Sequence, residues 1–354
     1  MPLTIGQYLG HNSPTGSFHG SIDEVRLYNR ALSANEVLEL ANEGKVGPST
    51  FHISMVDIRP TWPVLLGYPD FMPETPVTLP QYSIAKDEIT YRSWTAVKDL
   101  AKTRLNWDLP AGVQGSGYSG TTPDHPVTRI NLLDTTLWCN ALSLLSEVEP
   151  CYYVFDANYN LVSYTPERRS MAEARGVYWK QTAQGYRIPS GNEWEVAARG
   201  GLASKRYPWG NEPPGLDQAT ARANWVFGYG NPESTTPVGA YPANGYGLTD
   251  MAGNSWEFTW DDKLTPVGQN PVRLWNDFVI RGGGWNAGWD PRISANYGWN
   301  IGLWDGRHEF GFRIAKGSQT EPDLTKLDSD GDGLSDAWEK GIGLSSRIYR
   351  CSAP

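Results

Sequence analysis

Cysteine is nearly missing from this chain, with Cys139, Cys151 and Cys351 the only three in 354 residues. They are too few for a disulfide framework and too widely spaced for a zinc site, so they leave the redox compartment open. Charge is also sparse, at 19% of residues, and no basic run interrupts a formal net charge of −9. That argues against nucleic acid and anionic membranes as partners, because both select clustered Lys and Arg. No run of about 18 apolar residues occurs, so no membrane span is expected. The charged start and apolar stretch of a signal peptide are absent. The opening residues read instead as the tail of a domain whose beginning lies elsewhere, and a secreted or cell-surface protein with its signal missing from this chain is expected. No Gly-x-Ser-x-Gly elbow, His-Glu-x-x-His helix or phosphate loop is present.

What is abundant is turn-forming and aromatic: 38 Gly, 26 Pro, 16 Trp and 18 Tyr. This composition favours turns and aromatic packing over long helices, and predicts a loop-rich α+β protein of about two domains. Phe18 to Tyr28 reads as a strand, and Ser33-Ala-Asn-Glu36 as a capping box opening a short helix. A further strand is expected at Gln81 to Ala85. Thr90 can cap a helix carrying Trp94, Val97 and Leu100 or Ala101 inward, and Asp134 another carrying Leu137, Trp138, Ala141, Leu142 and Leu145. Ser190-Gly-Asn-Glu193 is a capping box with Trp194, Val196 and Ala197 behind it. From Gly200 to Phe310 no helical period survives. Asp261-Asp262, after Trp260, reads as a solvated or cation-binding acidic pair on a loop.

Eight ordered landmarks carry a family resemblance. They are Lys86-Asp-Glu-Ile-Thr90, His125-Pro-Val127, Gly185-Tyr-Arg-Ile-Pro-Ser190 with Glu193-Trp-Glu195, Tyr207-Pro-Trp-Gly210, Gly245-Tyr-Gly-Leu248, Gly253-Asn-Ser-Trp-Glu257, Arg281-Gly-Gly-Gly-Trp285 and Gly311-Phe-Arg313. In that order, residues 52–317 resemble the formylglycine-generating-enzyme (sulfatase-modifying factor) domain, which implies a C-type-lectin-like fold with little regular secondary structure. Residues 1–45 resemble the closing part of a laminin-G-like (concanavalin-type) sandwich and are too few to close a core; 46–51 form a linker. In the active family a cysteine pair after the Gly-Gly-x-Trp turn binds copper, and here those positions are Ala287 and Arg292. Neither can replace a soft thiolate, so copper is not expected. The serine usual in that turn is replaced by Gly284. The five histidines, His11, His19, His52, His125 and His308, lack the spacing that an iron-binding branch of the family would need. His125 reads as a structural hydrogen-bonder, and His308 lies late in the presumed pocket loop.

Calcium is the expected cofactor. Asp328-Ser-Asp-Gly-Asp-Gly-Leu-Ser-Asp-Ala-Trp-Glu339 places oxygen donors at Asp328, Asp330, Asp332, Asp336 and Glu339, with the Leu334 carbonyl between and Gly333 at the sharp turn. It resembles a thrombospondin type 3 repeat within a tail at 318–354. The family domain implies two more calcium positions. One would use Asn224 and the carbonyl of Trp225, with Asn231 as a further donor; the other would use Asn254, Glu257 and carbonyls near Gly253 and Ser255.

Around the vacated cysteine positions lie Trp285, Asn286, Trp289, Arg292, Asn296, Trp299, Asn300 and Arg307, aromatic faces mixed with amide and guanidinium donors. Two functions are therefore open. One is a non-catalytic extracellular module that recognises a peptide, protein or glycan, of which a retroelement-diversified binding protein is a subcase. The other is a formylglycine-generating oxidoreductase or related oxidase with redesigned chemistry.

Overall fold

The computed structural model describes residues 7–10, 13–17, 48–60, 63–68, 72–117, 120–213, 222–225, 233–262, 273–274, 278–286 and 306–317. The chain divides into two units, Met1–Lys45 and Val46–Pro354. In the first, β1 (Gln7–Gly10) and β2 (Ser13–Ser17) form an antiparallel pair. The strand expected from Phe18 and the capping box at Ser33 lie outside the described residues.

The second unit is mixed α/β, with few helices and several small sheets. Its first strands are β3 (Met55–Ile58), β4 (Val64–Tyr68), β5 (Met72–Val77) and β6 (Tyr82–Ala85). Helix α1 (Tyr91–Arg104) opens where expected, because Thr90 Oγ1 accepts from Ser93 N and so fills one of the donors a helix start leaves unpaired. Trp94, Val97 and Ala101 are buried, while Leu100 is only half-buried. Strands β7 (Val113–Gln114) and β8 (Val127–Thr128) pair next.

Helix α2 (Leu132–Leu145) corrects one expectation: its cap is Asn131, not Asp134. Asp134 is the third helical residue, and its carboxylate reaches back to Asn131 N at 3.2 Å while Asn131 Oδ1 accepts from Asp134 N at 2.9 Å. Sequence spacing alone could not choose between two capping residues three positions apart. Thirteen of the fourteen residues of α2 are buried, so its polar side chains bond within the core. Thr135, Thr136 and Ser143 donate to the carbonyls four residues earlier, and Asn140 pairs with the main chain of Tyr152 and Tyr164.

Beyond α2 come β9 (Tyr152–Phe155), β10 (Leu161–Ser163), α3 (Arg169–Arg175), β11 (Val177–Trp179) and β12 (Tyr186–Arg187). Helix α4 (Gly191–Arg199) has the expected capping box: Ser190 Oγ accepts from Glu193 N, and Glu193 Oε2 accepts from Ser190 N. The later strands are β13 (Trp256–Asp262), β14 (Arg273–Leu274), β15 (Phe278–Arg281), β16 (Phe310–Gly311) and β17 (Ala315–Lys316). Asp261 and Asp262 therefore end a strand, not a loop. Asp261 Oδ2 lies 3.9 Å from Arg281 Nη2.

Strand order is β10-β9-β11-β14, β12-β17-β6-β3 and β15-β13-β16 in the three larger sheets. Because β17 inserts between β12 and β6, the end of the matched region is hydrogen-bonded to its start. Aromatics fill the space that regular elements leave. Trp94 stacks on Trp138 at 5.6 Å, Phe312 meets both edge-on, and Trp260 packs against Tyr152 and Trp179. A fully buried side chain of this size contributes roughly 1.5–3 kcal/mol. Cys139 and Cys151 are buried free thiols, and burial pushes the Cys139 thiol well up and that of Cys151 up to about 11.

Buried guanidinium groups tie down the loops. Arg187 forks onto Glu193 at 2.7 Å for both bonds and donates to Gly317 O, while Arg199 and Arg281 share Glu195. Five donors in a rigid plane let one arginine satisfy a carboxylate and a main-chain carbonyl together, which suits a domain poor in ladder hydrogen bonds.

Candidate functional site

The stretch Val113–Gly117 is held in place from below. His125 is buried, with Nδ1 2.9 Å from Thr235 Oγ1, and burial pushes its pKa down while Asp124 opposes. It is the structural hydrogen-bonder the sequence suggested. Thr235 Oγ1 also accepts from Ser116 N at 3.0 Å, and Trp285 Nε1 donates to Ser116 Oγ at 3.2 Å. Gly117 runs so close to a neighbouring loop that a Cβ there would sit 2.3 Å from Glu233 O. The wall is thus fixed by main-chain contacts on one side and the indole edge on the other.

On this wall stands a cavity of about 410 Å³ lined by Val113, Gln114, Gly115, Ser116, Gly117, Thr121, Arg129, Trp285 and His308. Trp285 is only 6% exposed, so it forms the floor and does not offer an open stacking face. Asn286 is exposed, with Nδ2 3.5 Å from His308 Nε2. His308 Nδ1 lies 3.1 Å from Glu309 Oε2, off the axis of a hydrogen bond but close enough for an ion pair once the imidazole is protonated. Arg307 is exposed, sits over the Phe310 ring, and its carbonyl accepts from Arg129 N at 3.3 Å. That contact belongs to a residue with φ of 53°, a left-handed conformation costing an arginine about 1–2 kcal/mol.

Of the ligand-binding candidates, the fold brings Trp285, Asn286 and Arg307 to this cavity or its rim. Trp289, Arg292, Asn296, Trp299 and Asn300, together with Ala287, lie outside the described residues. So do Asn231 and the whole tail with Asp328, Asp330, Asp332, Leu334, Asp336 and Glu339. Gly284 has a packing reason: a Cβ there would approach Trp256 Cδ1 to 2.9 Å, which disfavours the serine usual in this turn. Arg129 and Ser116 were not singled out by the sequence, since nothing about an exposed arginine or a serine between glycines announces a pocket.

The internal calcium positions fare differently from one another. Glu257 is fully buried, and both carboxylate oxygens are filled: Arg313 Nε and Nη2 donate at 2.7 Å each and Trp194 Nε1 at 2.8 Å. Asn254 Oδ1 accepts from Thr236 N and Asn224 Nδ2, while Asn254 Nδ2 and the Ser255 hydroxyl donate to Glu88. The side-chain oxygens of Asn254 and Glu257 are therefore committed to protein partners, which does not fit a cation taking them as ligands. Asn224 does fit. It is 1% exposed, its Nδ2 donates to Ser234 O and Asn254 Oδ1, and its Oδ1 has no partner. Among the described residues no three His, Cys, Asp or Glu side chains gather to hold a metal, so an ion there depends on amide and carbonyl oxygens.

Glu88 and Asp250 complete a buried acidic group around Arg313. Burial, then Asp250 and Glu257, push the Glu88 carboxyl well above the usual range. Burial also raises Asp250 to about 6, against the Gly239 N–H that donates to it and against Arg313.

Comparison with known proteins gives a consistent picture. Residues 47–318 match the family described as Sulfatase-modifying factor enzyme 1-like domain. A chaperone protein LppX of Paenibacillus barcinonensis is 32% identical over 200 residues, 52% of this chain and 64% of that protein. A formylglycine-generating enzyme of Thermomonospora curvata is 44% identical over 86 residues, 23% of this chain and 28% of that enzyme. The chain thus spans less than two thirds of the length of these curated relatives. Among solved structures, Treponema denticola variable protein 1 superimposes with a TM-score of 0.60 at 26% identity, covering 75% of this chain and 95% of that one. The crystal structure of CarF gives 0.56 at 24% identity, covering 75% and 98%, a likeness of fold.

Proposed function

From a chain that belongs to the sulfatase-modifying factor enzyme 1-like family, we propose a non-catalytic, calcium-stabilised recognition module that acts outside the cell and binds its ligand in the cavity over Ser116 and Trp285. The observation that carries this reading is the pair Ala287 and Arg292, which stand where the family's chemistry needs two thiolates. A methyl group and a guanidinium cannot hold reduced copper, whereas hydroxyl, imidazole and guanidinium groups around a cavity are the means of binding a ligand.

Calcium would be held by the tail loop Asp328 to Glu339 and, inside the domain, by Asn224 Oδ1 with the carbonyl of Trp225. The orphaned amide oxygen supports the second position, since a buried acceptor left unpaired costs about 1–3 kcal/mol. Such an ion would stiffen loops and contribute no reaction step.

The alternative, formylglycine formation on a sulfatase cysteine, draws on the 44% identity to the enzyme of Thermomonospora curvata. One assay separates the two. The purified chain is incubated with copper, oxygen, a thiol reductant and a Cys-x-Pro-x-Arg peptide, and the peptide is weighed by mass spectrometry. We expect the thiol to persist; conversion to an aldehyde would overturn the non-catalytic reading. Peptide and glycan arrays then compare the chain with Trp289→Ala, Arg292→Ala and Asn286→Ala. Equal binding by all of them, or silence from the arrays, would remove the recognition site.

A further inference from the structure

We propose that the cavity reads a carboxylate on an extended acidic peptide segment, and that Arg129 is the residue that grips it. This rests on the recognition reading above and names its ligand class.

The first support is charge. The chain carries nine more acidic than basic side chains, yet among the described residues no Asp or Glu lines this cavity, and the one permanently charged lining group is the Arg129 guanidinium. Focusing the minority charge in a concave site raises the local concentration of anions there.

Arg129 is also uncommitted. The buried arginines Arg187, Arg199, Arg281 and Arg313 all have a carboxylate within 3.0 Å. The guanidinium of Arg129 is exposed and takes part in no ion pair or hydrogen bond among the described residues. Its planar fork of N–H donors matches a carboxylate in two parallel bonds. The main chain beneath it is strained at φ of 53° and is held by the Arg307 carbonyl. Strain of this kind persists where the surroundings over-determine a residue's position, and it fixes where the side chain starts.

The shape of the site points to peptide. A sugar would need an aromatic face to stack on, but Trp285 is nearly buried and its Nε1 is spent on Ser116. What the cavity does offer is an extended wall, Val113–Gly117, with an exposed Val113 side chain at the rim; the main-chain groups of Gly115 and Ser116 are already paired within the protein, so side chains along the wall do the reading. An extended segment can run along such a wall with its acidic side chain on Arg129 and an apolar neighbour on Val113.

The test uses the full chain and isothermal calorimetry with capped Ala-Ser-Glu-Ser-Ala, its Gln counterpart, and the methyl glycoside of glucuronic acid. The Glu peptide should bind about tenfold or more tightly than the Gln peptide. Arg129→Gln should make the two equal, and Arg129→Lys should keep part of the difference. Because Arg129 is exposed, these variants should melt with the parent. Arg129→Gly should lose the preference while melting at the same temperature or higher, since glycine rests easily at this φ. Equal binding of the two peptides, a preference that survives Arg129→Gln, preferential binding of the glucuronide, or no binding of the Glu peptide at millimolar concentration would each overturn the proposal. An array hit sensitive to Asn286→Ala alongside any of those outcomes leaves the recognition reading standing; silence in both experiments removes both.

Discussion

Arg313 closes on Glu257 as a fork, Nε to Oε2 and Nη2 to Oε1 at 2.7 Å each, with both side chains at 0% exposure. The same guanidinium donates to the carbonyls of Ala85, Lys86 and Thr249. One residue therefore joins the end of β6, the start of β13 and the approach to β17, and the family landmarks Gly253 to Glu257 and Gly311 to Arg313 meet at a single ion pair.

Breaking that pair from either side should be costly and unequal. Glu257→Gln keeps the shape but leaves a buried cation without its anion, a loss of about 3–5 kcal/mol. Arg313→Met should cost more, because three carbonyls also lose their donor. The double variant Glu257→Gln with Arg313→Met should lose less than the sum of the singles. Urea titrations of all four proteins check this, and strict additivity would mean that the two residues do not act as a pair.

The acidic group beside Arg313 predicts an unusual pH profile. Asp250 is raised from 3.8 to about 6 by burial. A carboxyl with a raised folded pKa costs nothing while protonated, so its penalty is absent below the unfolded pKa, grows from about pH 4, and is complete above about pH 6 to 7. Asp250→Asn keeps an acceptor for Gly239 N and removes the charge. Its stability relative to the parent should be flat below pH 4 and rise by about 3 kcal/mol between pH 4 and 7. Denaturant midpoints at unit pH steps read this directly; parallel profiles for the two proteins would refute it.

How far the sequence could be read depended on whether a feature was local. Capping by Thr90 and Ser190, and the inward faces of α1 and α4, follow from spacing within one turn. They were legible because each depends only on residues three or four apart. The order of landmarks also placed the family. Arg129 was invisible because lacking an ion pair among the described residues is a negative property, and the partners of buried arginines lie far away in sequence, such as Glu195 for Arg281 and Glu257 for Arg313. The partner of Glu257 was hidden for the same reason, since a carboxylate near asparagine reads as a cation ligand until the arginine 56 residues later is seen to donate to it.

The Ser190 capping box gives a smaller test. Ser190 is fully buried, so Ser190→Ala strands Glu193 N without water and should cost about 1–2 kcal/mol. Glu193→Gln should cost more, because that carboxylate also holds both terminal nitrogens of Arg187. Thermal melts of the two variants rank them; the reverse order would show that the cap outweighs the ion pair.

Calcium can be divided between its two proposed positions. With Asp328→Asn, Asp330→Asn and Asp332→Asn silencing the tail, any remaining rise in melting temperature on adding calcium reports the ion inside the domain. Saturation at a hundredfold excess over the dissociation constant stabilises by about 2.7 kcal/mol. That response should persist in the tail variant and vanish when Asn224→Ala is added, while Glu257→Gln in the same background should leave the increment in place. Loss of the increment in the Glu257 variant alone would return the ion to the position that Arg313 now fills.

The turn before Trp285 allows a last test, of why glycine stands at position 284. A Cβ at position 284 meets Trp256 Cδ1 at 2.9 Å, and Trp256 is itself buried at 7% exposure. Restoring the usual residue by Gly284→Ser should therefore overpack the turn and cost about 1–3 kcal/mol. Gly284→Ala should cost nearly the same, because the clash comes from Cβ and not from the hydroxyl. If both variants melt well below the parent and together, loss of the serine is bound to the seat of Trp256, and reversing it requires repacking β13. If Gly284→Ser alone is tolerated, the hydroxyl has found a partner in Trp256 Nε1, 3.3 Å from the new Cβ, and the turn has kept room for the side chain the family uses there.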